Sequence, residues 1–153
     1  MIARRTAPLD SSMARNELIE EELTYSVIGA FFEVYNTLGF GFLEHVYVMA
    51  LERELKARGH RVAREVCVAV SYKGEELTTQ RLDMIVDDKL VVETKATAEL
   101  HRIAPRQVYN YLKATHLEVG LLLHFGPRPI FYRLACSSPT SKALASARSA
   151  ASD

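Results

Sequence analysis

A chain of 153 residues, 48% hydrophobic and 25% charged, has the size and balance of one ordinary soluble globular domain. Its formal net charge is zero, so no global basic field marks a polyanion binder, and any such contact must come from a local patch. Cys67 and Cys136 are far apart and form no CxxC pair, which excludes a four-cysteine zinc or iron–sulfur centre built by this chain alone and fits reduced thiols in a cytoplasm; no apolar run reaches membrane-spanning length and the N-terminus does not read as a secretory signal.

Residues 1–16 lack periodicity and are expected to form a flexible N-terminal tail. From Glu17 an acidic opening leads into Thr24, Val27, Ile28, Phe31, Tyr35 and Leu38. That spacing is helical, and acids in the first turns suit the helix dipole. Gly39 and Gly41 break the pattern, and a second helix is expected from about Phe42 to Arg58, stopped by Gly59. The period then changes to two. Strands are expected over Val62–Tyr72 and Leu77–Val86, turned at Lys73-Gly74, and a third over Lys89–Ala96 after Asp87-Asp88. Pro105 opens a helix lasting to about Thr115. Val119–Phe125 and Ile130–Leu134 read as two short strands around Gly126-Pro127-Arg128-Pro129. Residues 17–136 are thus expected to form a single domain, and the Ser/Ala-rich stretch 137–153 a flexible tail. The order α-α-β-β-β-α-β-β predicts an α/β (α+β) fold with a central mixed sheet flanked by helices.

Within that frame, Asp83 lies on one strand, and Glu93-Thr94-Lys95 ends the next. Strand side chains alternate, so Glu93 and Lys95 share a face and Thr94 takes the other. Two carboxylates and an ammonium beside a core need a partner, and oxygen ligands suit Mg²⁺ or Mn²⁺. Such a site would hydrolyse a phosphodiester, with Lys95 orienting the attacking water. A salt bridge on a strand end explains the same three residues equally well. The hairpin register discriminates. A two-residue loop of Asp87-Asp88 would put Asp83 and Glu93 on opposite faces, so a metal site demands an odd loop with Val86 opposite Leu90, or a bulge.

Glu44 falls in a helical row with Val48, Leu51 and Leu55, where a buried carboxylate would be costly without a partner. It either joins the acidic cluster or caps its helix. Gln107 and Tyr111, one turn apart on one helical face, can line a site, and Tyr can stack on a base; a Tyr packed on the sheet explains the pair too. Lys95, Arg102, Arg106 and Lys113 form the only locally basic stretch, opposed by Glu99, and serve as a phosphate-contact patch or a solvated helix face. The five histidines show no metal-binding spacing.

Taken together, Gly41-x-x-Glu44-x-x-Tyr47 followed by Asp83 and Glu93-x-Lys95 resembles the GxxExxY proteins of the PD-(D/E)XK nuclease superfamily, and Gln107-x-x-x-Tyr111 resembles the element of its RecB-type branch. The resemblance runs from about Leu23 to Leu134, with Leu82 standing where the superfamily often has proline. It implies a restriction-endonuclease-like core and a Mg²⁺- or Mn²⁺-dependent nuclease acting on DNA, less readily on RNA. Asp83, Glu93 and Lys95 would be catalytic. Glu44, Asp83, Glu93 and the Thr94 carbonyl would hold the metal. Gln107, Tyr111, Arg102 and Arg106 would meet substrate. A homodimer is one expected partner, since nucleases of this size often pair to cut two strands. The rival expectation is a non-catalytic nucleic-acid-binding or accessory module that keeps the fold.

Overall fold

The computed structural model of the chain describes residues 19–136; the expectations for 1–16 and 137–153 lie outside the described residues. Eight elements follow in the predicted order: α1 (Glu21–Leu38), α2 (Glu44–Ala57), β1 (Val62–Tyr72), β2 (Glu75–Val86), β3 (Leu90–Lys95), α3 (Ala104–Thr115), β4 (Val119–Phe125) and β5 (Pro129–Ala135). The strands form one mixed sheet in sequence order, with β3 and β4 parallel and the remaining pairs antiparallel. No helix among the described residues is long and apolar enough to cross a membrane.

Hydrophobic patterning sets the layers. Val27, Phe31 and Val34 of α1 and Val48, Leu51 and Leu55 of α2 pack on one sheet face, against Met84, Val86, Val92, Leu121 and Leu123. The buried Ala104, Val108 and Leu112 of α3 cover the other, against Leu82, Val91 and Leu122. All of β4 is buried, as befits a strand inside a sheet with helices on both faces.

Turn chemistry sets the boundaries. Lys73 and Gly74 both have positive φ, at 51° and 81°, the pattern of a tight two-residue hairpin, so β2 begins at Glu75, two residues before the expected start. Between β2 and β3, Asp87 and Asp88 both adopt positive φ and Val86 pairs with Leu90, which makes residues 87–89 a three-residue loop. This is the odd register that the acidic site demands. The second helix starts two residues later than expected because Leu43 is still extended and the Phe42 N–H is taken by the Tyr47 hydroxyl.

A side-chain clamp closes the other end of this loop. Ser26 Oγ lies 2.7 Å from His60 Nε2, His60 Nδ1 lies 2.7 Å from Asp87 Oδ2, and Arg61 N donates to Asp87 Oδ1 at 2.8 Å. Ser26 sits inside α1, away from the free N–H groups of a helix start that could stabilise an oxyanion, so the chain of bonds reads as a tether between α1, the α2–β1 junction and the β2–β3 loop. Burial works against the Asp87 charge, but hydrogen bonds from Arg61 and His60 outweigh it and hold the carboxyl below its ordinary value. Its stabilisation is therefore complete above that ordinary value and lost as acid carries the pH through the lower folded one. His60→Ala, which strands partly buried Ser26 and Asp87, is expected to cost about 1–3 kcal/mol in urea unfolding; an unchanged midpoint would show that the clamp is idle.

Candidate metal centre

At Asp83 the regular alternation of β2 fails. Leu82 packs with the α3 layer and Met84, two residues on, packs with the α1–α2 layer. The β1–β2 ladder omits the rung between Glu65 and Asp83, and Glu65 has a φ of 52°. The β2–β3 pairing also ends at Met84 and Val92. Asp83 is thereby freed from both ladders. Its Oδ2 accepts hydrogen bonds from both Thr94 N and Thr94 Oγ1, each at 2.8 Å.

Three elements converge there. Glu44 opens α2, Asp83 ends the regular part of β2, and Glu93 lies on β3; each offers a carboxylate oxygen within 4.8 Å of the others. Thr94 Oγ1 also reaches Glu44 Oε1 at 3.4 Å. The Glu44 side chain thus joins the cluster as well as starting its helix. Alternation along β3 sends Thr94 toward the layer of Val92 and Glu93 toward that of Val91, so the cluster is assembled from both faces around the freed Asp83.

Glu93 carries the strain of this arrangement. Its residue is 7% exposed and its Oε2 is buried without a hydrogen-bond partner. Burial, then hydrogen bonding and repulsion with Asp83, push its carboxyl up to about 9; the Glu44 charge adds to this and the Lys95 ammonium opposes it. Glu44 is raised too, by burial and then by Asp83, against the pull of Lys95 and the Thr94 hydrogen bond. A buried carboxylate oxygen with no partner, beside two further carboxylates, fits a hard divalent cation with oxygen ligands. The residues present therefore suit the group that the sequence anticipates.

The remaining expected residues distribute around this centre. Lys95, Arg102 and Gln107 line one cleft of about 720 Å³ with Thr97 and His101. Tyr111 lines a separate groove with Gln80, Lys113 and His116, yet its phenol is raised by burial and then by the charges of Glu93 and Asp83. Arg106 lies over the Tyr109 ring, 4.9 Å from its centroid, and shares that ring with Lys113.

The structure adds residues that the sequence reading passed over. Arg64, Arg81 and His45 line a smaller cleft that opens on Glu44 and Asp83. His124, paired with Lys95 across the parallel strands, is buried, and its Nε2 lies 2.7 Å from the Thr97 carbonyl oxygen. Gly126 packs so closely on that ring that an added Cβ would come within 2.6 Å of it. A lone histidine in the apolar run Gly120–Phe125 was the available signal.

Thr94→Val removes the hydroxyl donor to Asp83 at nearly constant volume. Residues that orient metal ligands typically contribute tenfold or more, so a fall in Mn²⁺ affinity of about 10–100-fold is expected by calorimetry. Unchanged affinity would mean that the Thr94 N–H alone fixes Asp83.

A family model described as the PD-(D/E)XK nuclease superfamily matches residues 21–133. Among solved structures, the crystal structure of SSO0001 is similar at a TM-score of 0.50 and 21% identity, over 69% of this chain and 56% of that one. This chain therefore spans little more than half the length of that relative, and the likeness is one of fold. No curated protein matches the chain at a significant level.

Proposed function

The chain belongs to the PD-(D/E)XK nuclease superfamily, and from that premise we propose that it is a Mg²⁺- or Mn²⁺-dependent nuclease of the GxxExxY type, acting on DNA more readily than RNA. The observation that carries this reading is the convergence of Glu44, Asp83 and Glu93 oxygens within 4.8 Å, one of them buried and unpartnered. Glu44, Asp83, Glu93 and the Thr94 carbonyl would hold the ion. A divalent ion there supplies Lewis acidity and lowers the pKa of bound water.

The protein's own groups do the rest. Thr94 N–H and Oγ1 fix Asp83, so its carboxylate needs no reorganisation on binding. Lys95 leaves β3 two residues after Glu93 and on the same face, at the mouth of the larger cleft. Its ammonium donates hydrogen bonds that orient the attacking water and offset charge growing on the phosphate oxygens. Gln107 and Arg102 line the same cleft and would contact the strand beside the cleaved bond; Tyr111, in its separate groove, and Arg106, beside Tyr109, would meet the strand further along α3.

The test is hydrolysis of labelled single- and double-stranded DNA and RNA with Mg²⁺, Mn²⁺ or EDTA. Metal-dependent cleavage by wild type, lost in Asp83→Asn, is the expected result. Binding without cleavage under every condition would leave a nucleic-acid-binding module that keeps the fold.

A further inference from the structure

The carboxyl ends of the parallel strands β3 and β4 lie at one end of the sheet, which places Lys95 beside His124. Crevices at such strand ends are where ligands settle in open α/β sheets. A loop of unusual composition, Gly39-Phe40-Gly41-Phe42-Leu43, is fastened over that end. The Tyr47 ring stacks on Phe125, the last residue of β4, at 4.4 Å. Its hydroxyl donates to Gly39 O at 2.6 Å and accepts from Phe42 N at 3.2 Å. Tyr35 Oη donates to Gly126 O at 2.8 Å, tying α1 to the same strand end. Gly39 and Gly41, with φ of 72° and 113°, let the chain make the turn.

This well-held loop leaves its apolar side chains in water. Phe40 is 49% exposed, Phe42 48% and Leu43 72%, immediately ahead of Glu44. Phenylalanine is ordinarily buried, and two half-bare rings on a pinned loop beside an acidic cluster call for an occupant. The loop between β3 and α3, which leaves the same end of the sheet after Lys95, is basic and partly apolar. It offers Lys95, His101 and Arg102, against the single acid Glu99, with Ile103 at 52% exposure. Arg128 is exposed in the loop that follows β4.

We propose that this end of the sheet is a seat for single-stranded nucleic acid, with unstacked bases on Phe40 and Phe42 and the backbone drawn to Lys95, Arg102 and Arg128. The inference rests on the nuclease reading and narrows its substrate class. Exposed rings attract base faces, and only an unpaired strand has faces to give; in a duplex the faces are stacked on one another. Cations beside the rings supply the sequence-independent attraction for phosphates.

The experiment is fluorescence anisotropy with labelled oligodeoxythymidine, the same length of oligouridine, and a blunt duplex, in Ca²⁺ to hold the strand without turnover. Wild type is expected to bind the single strands at least about tenfold more tightly than the duplex. Since a stacked base is worth about 1–3 kcal/mol, Phe40→Ala and Phe42→Ala should each weaken single-strand binding by about 5–150-fold. Phe42→Leu keeps an apolar side chain without the ring, so it should lose nearly as much if stacking is the contact. Tyr25→Ala, 80% exposed on α1, is the control and should change nothing. Equal affinity for duplex, or full affinity in both Phe variants, overturns the single-strand seat while leaving the nuclease reading intact. No binding of any nucleic acid removes both.

Discussion

Lys95→Ala is expected to cut phosphodiester hydrolysis by about 10²–10⁴-fold at saturating Mn²⁺, the usual range for a group that positions or exchanges a proton in the transition state. Affinity for the ion should not fall, because removing an ammonium removes a repulsion. The same charge holds the Glu44 and Glu93 carboxyls down, so its loss should also make the empty cluster harder to ionise. Rate and metal affinity therefore separate in this variant. They should fall together in Asp83→Asn, which strips an oxygen ligand. The comparison uses single-turnover cleavage by wild type and both variants, with folding checked by circular dichroism. Equal rates for wild type and Lys95→Ala would confine Lys95 to charge balance. Lower stability at an undiminished rate would mark it as a structural partner of Glu93.

Much of this architecture was legible because local signals agreed. The acidic start and apolar row of α1, the glycine break after Leu38, the period change at Val62 and the proline at the start of α3 each pointed to what forms. The hairpin register was legible only through the acidic site, which demanded Val86 opposite Leu90; β3 is buried on both faces, so its apolar residues alone do not fix which face each one takes. What could not be read is how Glu44 and Glu93, which come from opposite sides of the sheet, meet. That depends on Asp83 leaving both ladders and on Glu65 taking a positive φ, a conformation that its sequence does not announce. The cleft residues Arg64 and Arg81 were missed for a related reason. They sit on strands that read as ordinary alternation, and nothing in their spacing marks the cleft they share with Glu44 and Asp83. His60 and Asp87 were unreadable as a pair because a tether between distant loops leaves no spacing in the sequence.

The pH dependence of stability should expose Glu93 directly. Its folded value of about 9 lies far above the ordinary 4.5 of the unfolded chain. At a pH below 4.5 the group is protonated in both states and costs nothing. As the pH rises, the unfolded chain gives up the proton and the folded one retains it, so the folded state without metal loses stability at about 1.4 kcal/mol per pH unit until the folded value is reached. Glu93→Gln keeps the shape and removes the titration. Its stability relative to wild type should therefore climb from about pH 5 to about pH 8. A bound divalent ion reverses the preference, since it needs the ionised carboxylate and displaces the proton. Wild type should accordingly bind Mn²⁺ more tightly at higher pH and release a proton that calorimetry detects as a buffer-dependent heat. At about one hundred times the dissociation constant the ion contributes about 2.7 kcal/mol, a rise in melting temperature of roughly 5–10 °C for a domain of this size. Glu93→Gln should show neither the proton nor the rise. Parallel stability profiles for the two proteins, with no melting shift in millimolar Mn²⁺, would mean that Glu93 is paired inside the fold and that the three carboxylates hold no metal.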